Sequence, residues 1–393
     1  MKFIQLAQRN GMPVVELGHT GLRVPILGLG GECIFKYGKT GDAEAVFRKA
    51  MDLGIRYIDT AHDYQKSQER LGRFLKNYND HDVVIATKSN KRDRSGFLRE
   101  LDACTRKLGR IPDIMHVHSV NKGERRAITG SNGPLQAAFE AREKGYCRYV
   151  GVTCHDDPDT LYDIIDQVDG IDIVMTAISA GDVRFLKDIA PMCREKGIGL
   201  VAMKVMGRSV LVRPDGPGVR RADDALRFAL STLADVAIVG FSFPEEVEEM
   251  VEAARRFRPM SEEKMRAMIE SVKPYAEEVR FYAERNPDWA NSVKVRKSMD
   301  EFLPYRMKFP KAEVLDLAIR LEKGKPIFTT RILDEQGKYR VGHLVRVDFW
   351  DEPLKVVSIT TKKSIKSHPF LDELTKSQIE EISGYTYDVV ELR

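Results

Sequence analysis

The chain has 393 residues, 42% of them apolar and 31% charged, with a formal net charge of +4. That balance is the composition of a folded soluble protein rather than a disordered one, at a length that points to more than one domain. So small a net charge gives no argument for a nucleic-acid partner by itself, and no apolar run approaches the ~20 residues that span a bilayer.

The first residues, MKFIQLAQRNGMP, hold no continuous apolar core of a secretory signal. Five cysteines (Cys33, Cys104, Cys147, Cys154, Cys193) are unevenly spaced with no CxxC pair. The sequence therefore predicts reduced core thiols, a cytoplasmic location and no bound metal. VVELGHTGLRVPIL (14–27) reads as a β-hairpin turning at Gly18–Gly21. From residue 27 onward, short unbroken apolar runs alternate with longer stretches of helical period. The runs lie at 27–30, 55–59, 83–88, 114–118, 149–153, 171–175, 198–203 and 236–240. Unbroken runs of this length suit strands buried on both faces. AEAVFRKAMDLG (43–54) and PLQAAFEAREKG (134–145), each ending at a glycine, suit the intervening helices.

Eight strands and their helices give an α/β fold, a closed (β/α)8 barrel of the TIM type with an N-terminal hairpin. An open doubly wound sheet is the competitor, but GLGGEC (28–33) lacks its GxGxxG phosphate loop. Helices follow at 244–257 and 261–285, and NPDWANS breaks the periodicity. The expected division is therefore a barrel over 1–285, a linker at 286–294 and a small domain over 295–393. That last domain opens with an amphipathic helix at 311–324 and continues with strand-like runs at 326–332, 343–350, 354–360 and 385–392, an α+β, β-rich pattern.

Reactive groups of such a barrel sit where strands end. Those ends supply Asp59, Lys88 and His118, with Tyr64 in the loop after Asp59. An ammonium beside a phenol favours the phenolate and makes the phenol a better acid, and a carboxylate keeps the ammonium charged. An imidazole can orient a carbonyl oxygen. Each residue alone has a structural explanation: an ion pair at the rim, a core histidine (His116 above all), a loop aromatic. Together they suit general-acid chemistry on a carbonyl.

IDTAHDYQKSQERLG (58–72), ATKSN (86–90), DIMHVH (113–118), GYCRYVGVTCH (145–155) and VAIVGFSFPEEVEEM (236–250) resemble, in order, the motifs of the aldo-keto reductases. The resemblance implies an NAD(P)H-dependent oxidoreductase that reduces an aldehyde or ketone, with Asp59, Tyr64, Lys88 and His118 as its catalytic set. It implies NADP(H) or NAD(H) contacts at Thr153, Cys154, Met175, Met203, Lys204, Arg208, Gly240, Ser242 and Glu246. Several of these depart from the family pattern: Cys154 stands for an Asn, Met175 for a Gln, Met203 for a stacking aromatic, and Met250 for an Asn. Glu246 stands where many relatives carry an Arg for the 2′-phosphate, which favours NADH. GKPIFTTR (324–331) and VGHLVRV (341–347) resemble the ASCH group of PUA-like domains, with Pro326 and His343 departing from its pattern. With Lys325, Arg331, Tyr339, Lys362, Lys363 and Lys366, that resemblance implies RNA or a nucleotide as a partner of the tail. A competing reading follows, a nucleotide-binding barrel with little turnover that acts as a regulator or RNA-linked adaptor. Against the RNA contact stands a plain lysine-rich sheet edge.

Overall fold

The structure, a computed structural model, describes residues 8–9, 11–32, 40–78, 82–207, 210–214, 216 and 218–280, and five strands between 306 and 392. The chain separates into two compact units, Ala7–Lys297 and Ser298–Arg393, the latter grouped with Met1–Leu6.

In the larger unit, β1 (Gln8–Arg9), β2 (Met12–Glu16) and β3 (Arg23–Pro25) form a small antiparallel sheet, with Val15 opposite Val24. Its turn is held by Leu17 N on Leu22 O at 2.9 Å and by Thr20 Oγ1 on Leu17 O at 2.7 Å. Gly18 is required there. Its φ is +55°, and a Cβ would lie 2.3 Å from Gly199 N. His19 N donates to Gly197 O and Tyr149 Oη donates to Thr20 O, so the turn seals the N-terminal ends of barrel strands.

The barrel follows as β4 (Leu27–Gly30), α1 (Thr40–Asp52), β5 (Tyr57–Asp59), α2 (Ser67–Asn77), β6 (Val84–Ser89), α3 (Arg94–Leu108) and β7 (Ile114–Val117). It continues with α4 (Arg125–Thr129), α5 (Pro134–Glu143), β8 (Tyr149–Cys154), α6 (Pro158–Gln167), β9 (Ile173–Ala177), α7 (Ile189–Lys196) and β10 (Gly199–Met203). Then come α8 (Ala222–Ser231), β11 (Val236–Val239), α9 (Pro244–Arg255), α10 (Glu262–Val272) and α11 (Ala276–Val279). The eight strands β4 to β11 are parallel and close when β11 pairs with β4, Ile238 opposite Gly28. Each expected run is a strand, with ends moved by at most two residues. The strands are buried almost throughout because helices cover one face and the barrel interior the other. Helix ends follow local chemistry: Asp93 accepts from Gly96 N at the start of α3, and Gly109 ends it at φ +70°.

One expectation is corrected. The helix read over 261–285 is not continuous. α10 stops at Val272, a 3-10 turn runs through Lys273–Tyr275, and α11 is four residues long. Pro274 offers no N–H to the helix ladder and its ring crowds the preceding turn. Residues 281–305 lie outside the described residues, including the linker expected at 286–294.

In the smaller unit, β12 (Arg306–Met307), β13 (Ile327–Arg331), β14 (Leu344–Val347), β15 (Leu354–Lys362) and β16 (Tyr387–Leu392) make one sheet in the order β12-β14-β15-β16-β13. Pairing is antiparallel except between β12 and β14, and β15 carries an irregularity between Val356 and Ser358. The four strand-like runs of the tail are strands. The helix expected at 311–324 lies outside the described residues, as do Lys325, Pro326, Tyr339, His343, Lys363 and Lys366. Arg331 and Lys362 fall at the ends of β13 and β15.

Candidate active site

Asp59 is the last residue of β5, Lys88 is the penultimate residue of β6, and His118 follows directly on β7. The loop after β5 continues the ladder with β6: Thr60 N donates to Ala86 O and His62 N to Lys88 O. It then turns back, with Ser67 N on Tyr64 O at 2.8 Å and Gln65 at φ +43°, and this turn presents Tyr64.

Lys88 is 1% exposed. Its ammonium donates to Asp59 Oδ2 at 2.6 Å, to Thr60 O at 2.8 Å and to Tyr64 Oη at 3.4 Å. An ammonium has three donors, and here each has an acceptor. Nζ also stands 4.7 Å from the centroid of the Tyr64 ring. Burial pushes the Asp59 carboxyl up, while the Lys88 charge pulls it down. The phenol oxygen therefore sits against a cation that favours its ionised form.

The His118 ring stands edge-on to Tyr64, with centroids 6.0 Å apart at 75°. Its Nδ1 lies 3.5 Å from Asp63 Oδ1, and Asn90 donates to the other oxygen of Asp63 at 2.8 Å. Burial holds His118 below its ordinary value, against the pull of Asp63 and with the repulsion of Lys88. Asp59, Tyr64, Lys88 and His118 are thus brought to one place. Two residues beside them were not singled out in the sequence. Asp63 precedes Tyr64, and His155 follows β8 with its ring 6.2 Å from that of His118. His155 obeys the same strand-end rule that pointed to His118, so the signal was present. Burial, then Lys204 and His118, push His155 well below its ordinary value.

His116 is a core residue, as expected, but not a satisfied one. It is fully buried in register with Lys88, and neither ring nitrogen has a hydrogen-bond partner. Gly151 makes the room, since a Cβ there would lie 2.2 Å from Nδ1. Burial, aided by Lys88, drives this imidazole well below its ordinary value.

The residues expected at the cofactor behave less uniformly. Thr153 Oγ1 accepts from Ser119 N at 2.8 Å, tying the ends of β7 and β8 together. Cys154 alternates to the helix side. Its thiol donates to Val120 O at 3.2 Å and Asp157 O at 3.3 Å, and burial pushes it up to about 12. It is an inert packed thiol here. Met175 is buried in the middle of β9, and Met203 is buried at the end of the adjacent strand β10. Lys204, at φ +56°, lies 3.5 Å from Glu32 Oε2. Arg208 lies outside the described residues. Gly240 and Ser242 are exposed. Glu246 Oε2 accepts from Ser242 N at 2.6 Å and Phe243 N at 3.3 Å, a helix cap, and the Phe243 side chain is exposed. Among the described residues no group of three or more His, Cys, Asp or Glu could hold a metal ion. No helix among them is long and apolar enough to cross a membrane.

Residues 27–218 match the family described as the Aldo/keto reductase family. This stretch is an aldo/keto reductase domain. L-glyceraldehyde 3-phosphate reductase of Escherichia coli strain K12 is 29% identical over 158 residues, which is 35% of this chain and 44% of that enzyme. The match thus spans less than half the length of that relative. An uncharacterized oxidoreductase of Bacillus subtilis is 22% identical over 304 residues, 66% of this chain and 96% of the relative. The holo form of an aldo-keto reductase from Bacillus halodurans superposes with a TM-score of 0.57 at 20% identity, over 70% of this chain and 99% of that one. At that identity the likeness is one of fold.

The buried histidines of the aldo/keto reductase barrel should contribute to its acid sensitivity. His116, His118 and His155 are all held below their ordinary value, whereas in the unfolded chain each titrates near ~6.5. Below that pH the unfolded state takes up protons that the folded state refuses, so stability is complete above it and is lost as pH falls. Urea unfolding between pH 7.5 and 5.5 should show a decline approaching about 1.4 kcal/mol per pH unit for each of the three. A flat profile would mean that these rings ionise freely in the native state.

Proposed function

We propose that the barrel is an NAD(P)H-dependent oxidoreductase acting on a small carbonyl compound and its alcohol, with Tyr64 as the general acid. The observation that carries this reading is the Lys88 ammonium, out of water and donating to the Tyr64 oxygen at 3.4 Å. A dinucleotide fits the donor set in part. Met175 and Met203 offer polarizable apolar surface for a flat ring, the Thr153 hydroxyl can still donate, and Lys204 brings positive charge. Cys154 does not fit, because its thiol is spent on backbone carbonyls.

A nicotinamide held there would supply hydride for the carbonyl carbon. Tyr64 gives its phenolic proton to the carbonyl oxygen as the alcohol forms, and Lys88 stabilises the phenolate left behind. Asp59 holds the Lys88 ammonium in place at 2.6 Å. Solvent restores the proton to Tyr64, and His118 contacts the substrate oxygen. The regulator or RNA-linked reading has no observation among the described residues in its favour. Specificity for one carbonyl compound resides in the loops at the strand ends. Cytoplasmic residence and a division into a 1–285 barrel and a 295–393 module remain part of this proposal.

Tyr64→Phe should lower kcat/KM for 4-nitrobenzaldehyde by about 10²–10⁴-fold, the range for loss of a general acid, with the dissociation constant for NAD(P)H unchanged. Near-full activity in that variant would remove Tyr64 from the role.

Cofactor choice follows from Glu246. Its carboxylate covers two amides at the start of α9 that an anion would otherwise meet, and its charge repels a 2′-phosphate. NADH should bind at least as tightly as NADPH. Glu246→Gln, whose amide oxygen can still cap α9, should narrow any gap. An NADPH preference beyond about tenfold in the unaltered protein would refute this account of the loop.

A further inference from the structure

Arg92 lies in the loop after β6, outside the catalytic set, and four acceptors converge on it. Nε donates to Glu124 Oε2 at 3.0 Å and Nη1 to Asn90 O at 3.0 Å, while Nη2 donates to His118 O at 2.9 Å and Ser119 O at 2.8 Å. The peptide it grips is where the β-ladder runs out. The N–H groups of His118, Ser119 and Val120 still reach sideways, to Ser89 O, Thr153 Oγ1 and Thr153 O. The carbonyls of His118 and Ser119 have no strand left to meet, and a backbone acceptor out of water needs a donor. Ser119 is at φ +51°, a conformation that a non-glycine residue keeps only when its surroundings hold it. In it, two successive carbonyls turn to one guanidinium nitrogen, and the Ser119 hydroxyl comes to 3.3 Å from His155 Nδ1. Asn121 Nδ2 also donates to Ser119 O at 2.8 Å, and Glu124 Oε2 accepts from Asn121 N at 2.9 Å. The His118 ring has no such anchor at its own Nδ1, which is buried without a hydrogen-bond partner. Where the ring stands is therefore set by the backbone it hangs from and by its edge-on neighbour Tyr64.

The next strand repeats the device. Arg184, in the segment after β9, donates to His155 O at 3.3 Å and Asp156 O at 2.9 Å, with the carboxylates of Asp156 and Asp182 as its counter-charges. Each of the two strand-end histidines thus begins a pair of carbonyls held by an arginine from a neighbouring loop. We propose that Arg92 is a positioning residue that fixes the peptide after β7 and, through it, the His118 imidazole at the substrate oxygen. This rests on the functional reading above and adds to it the group that sets the angle of His118. A guanidinium is planar and presents its N–H groups as a rigid fork, whereas an ammonium is a point donor of the same charge. A lysine could stay beside Glu124, but it could not span the carbonyls of Asn90, His118 and Ser119 together.

Arg92→Ala and Arg92→Lys test this in the full-length protein. With NADH and 4-nitrobenzaldehyde, kcat should fall about 10²-fold in Arg92→Ala, the scale of a reacting group displaced by about 1 Å, and by a smaller factor in Arg92→Lys. The dissociation constant for NADH should hold in both. The Arg92 side chain is 22% exposed, so free guanidinium ion can enter the space left by truncation. At millimolar concentration it should restore most of the lost kcat in Arg92→Ala and change nothing in the unaltered protein. Spectra of the same proteins labelled with 15N-histidine, assigned with His118→Gln, read the ring without turnover. The His118 signals should shift in Arg92→Ala and return with guanidinium. Should Arg92→Ala fail to fold, Arg92→Lys carries both readouts, a lower kcat and a displaced His118 signal. A merely structural arginine would lower the urea-unfolding free energy while kcat of the folded protein and the His118 signals stayed where they are. That result would overturn the proposal, and so would a loss of kcat that guanidinium does not reverse. An unaltered protein that does not reduce the aldehyde would remove the functional reading instead, and the His118 spectrum would still decide whether Arg92 positions the ring.

Discussion

An ammonium taken out of water is tolerated only when its charge is balanced and each of its N–H groups finds an acceptor, because desolvation alone costs several kcal/mol. Lys88 meets that condition through Asp59, the backbone of Thr60 and the oxygen of Tyr64. Those three acceptors come from the end of β5 and the loop that follows it. The ion pair therefore dictates how that loop folds back, and the loop in turn brings Tyr64 and Asp63 to the barrel mouth. The three described non-glycine residues with positive φ, Gln65, Ser119 and Lys204, all lie in segments that follow strand ends on this side. Strained backbone at the mouth is held by the regular ladder beneath it.

The opposite end of the barrel does different work. There the hairpin turn packs onto Gly197 and Gly199 with no space for a side chain at Gly18, and Tyr149 is tied to Thr20. Stability is concentrated at the end where strands begin, and polar groups that a ligand could use are concentrated where they finish. Between the two, His116 and Tyr57 are fully buried polar side chains without partners for their polar atoms. An interior of this kind favours neutral forms and strengthens each charge that remains, above all the one on Lys88.

The barrel was legible because strands covered on both faces read as unbroken apolar runs, a pattern that needs no long-range information. Asp59, Lys88 and His118 were legible for a related reason, since each is the polar residue that ends such a run. What escaped depends on geometry between strands. Asp63 meets His118 only because the loop after β5 crosses toward β7. Glu246 was legible as a charge in the adenosine loop, but not its second task, for three residues after Phe243 it also caps its own helix. The thiol of Cys154 is spent on the backbone carbonyls of Val120 and Asp157, contacts to neighbouring loops that no local pattern reveals. Pro274 carried its own warning, and the amphipathic pattern around it masked the break.

The central claim is that the buried Lys88–Asp59 pair exists for the chemistry of Tyr64 rather than for stability. Lys88→Met alone strands a buried carboxylate and should destabilise the fold by about 3–5 kcal/mol. Combining it with Asp59→Asn removes both charges, and a neutral replacement of a buried pair is often harmless to stability. The decisive measurement is the urea-unfolding free energy of the double variant alongside its kcat/KM for 4-nitrobenzaldehyde with NAD(P)H. The account predicts stability close to that of the unaltered protein with reduction lost by at least the factor expected for removing the acid, about 10² or more. A double variant that still reduces the aldehyde at near-normal rates would contradict it.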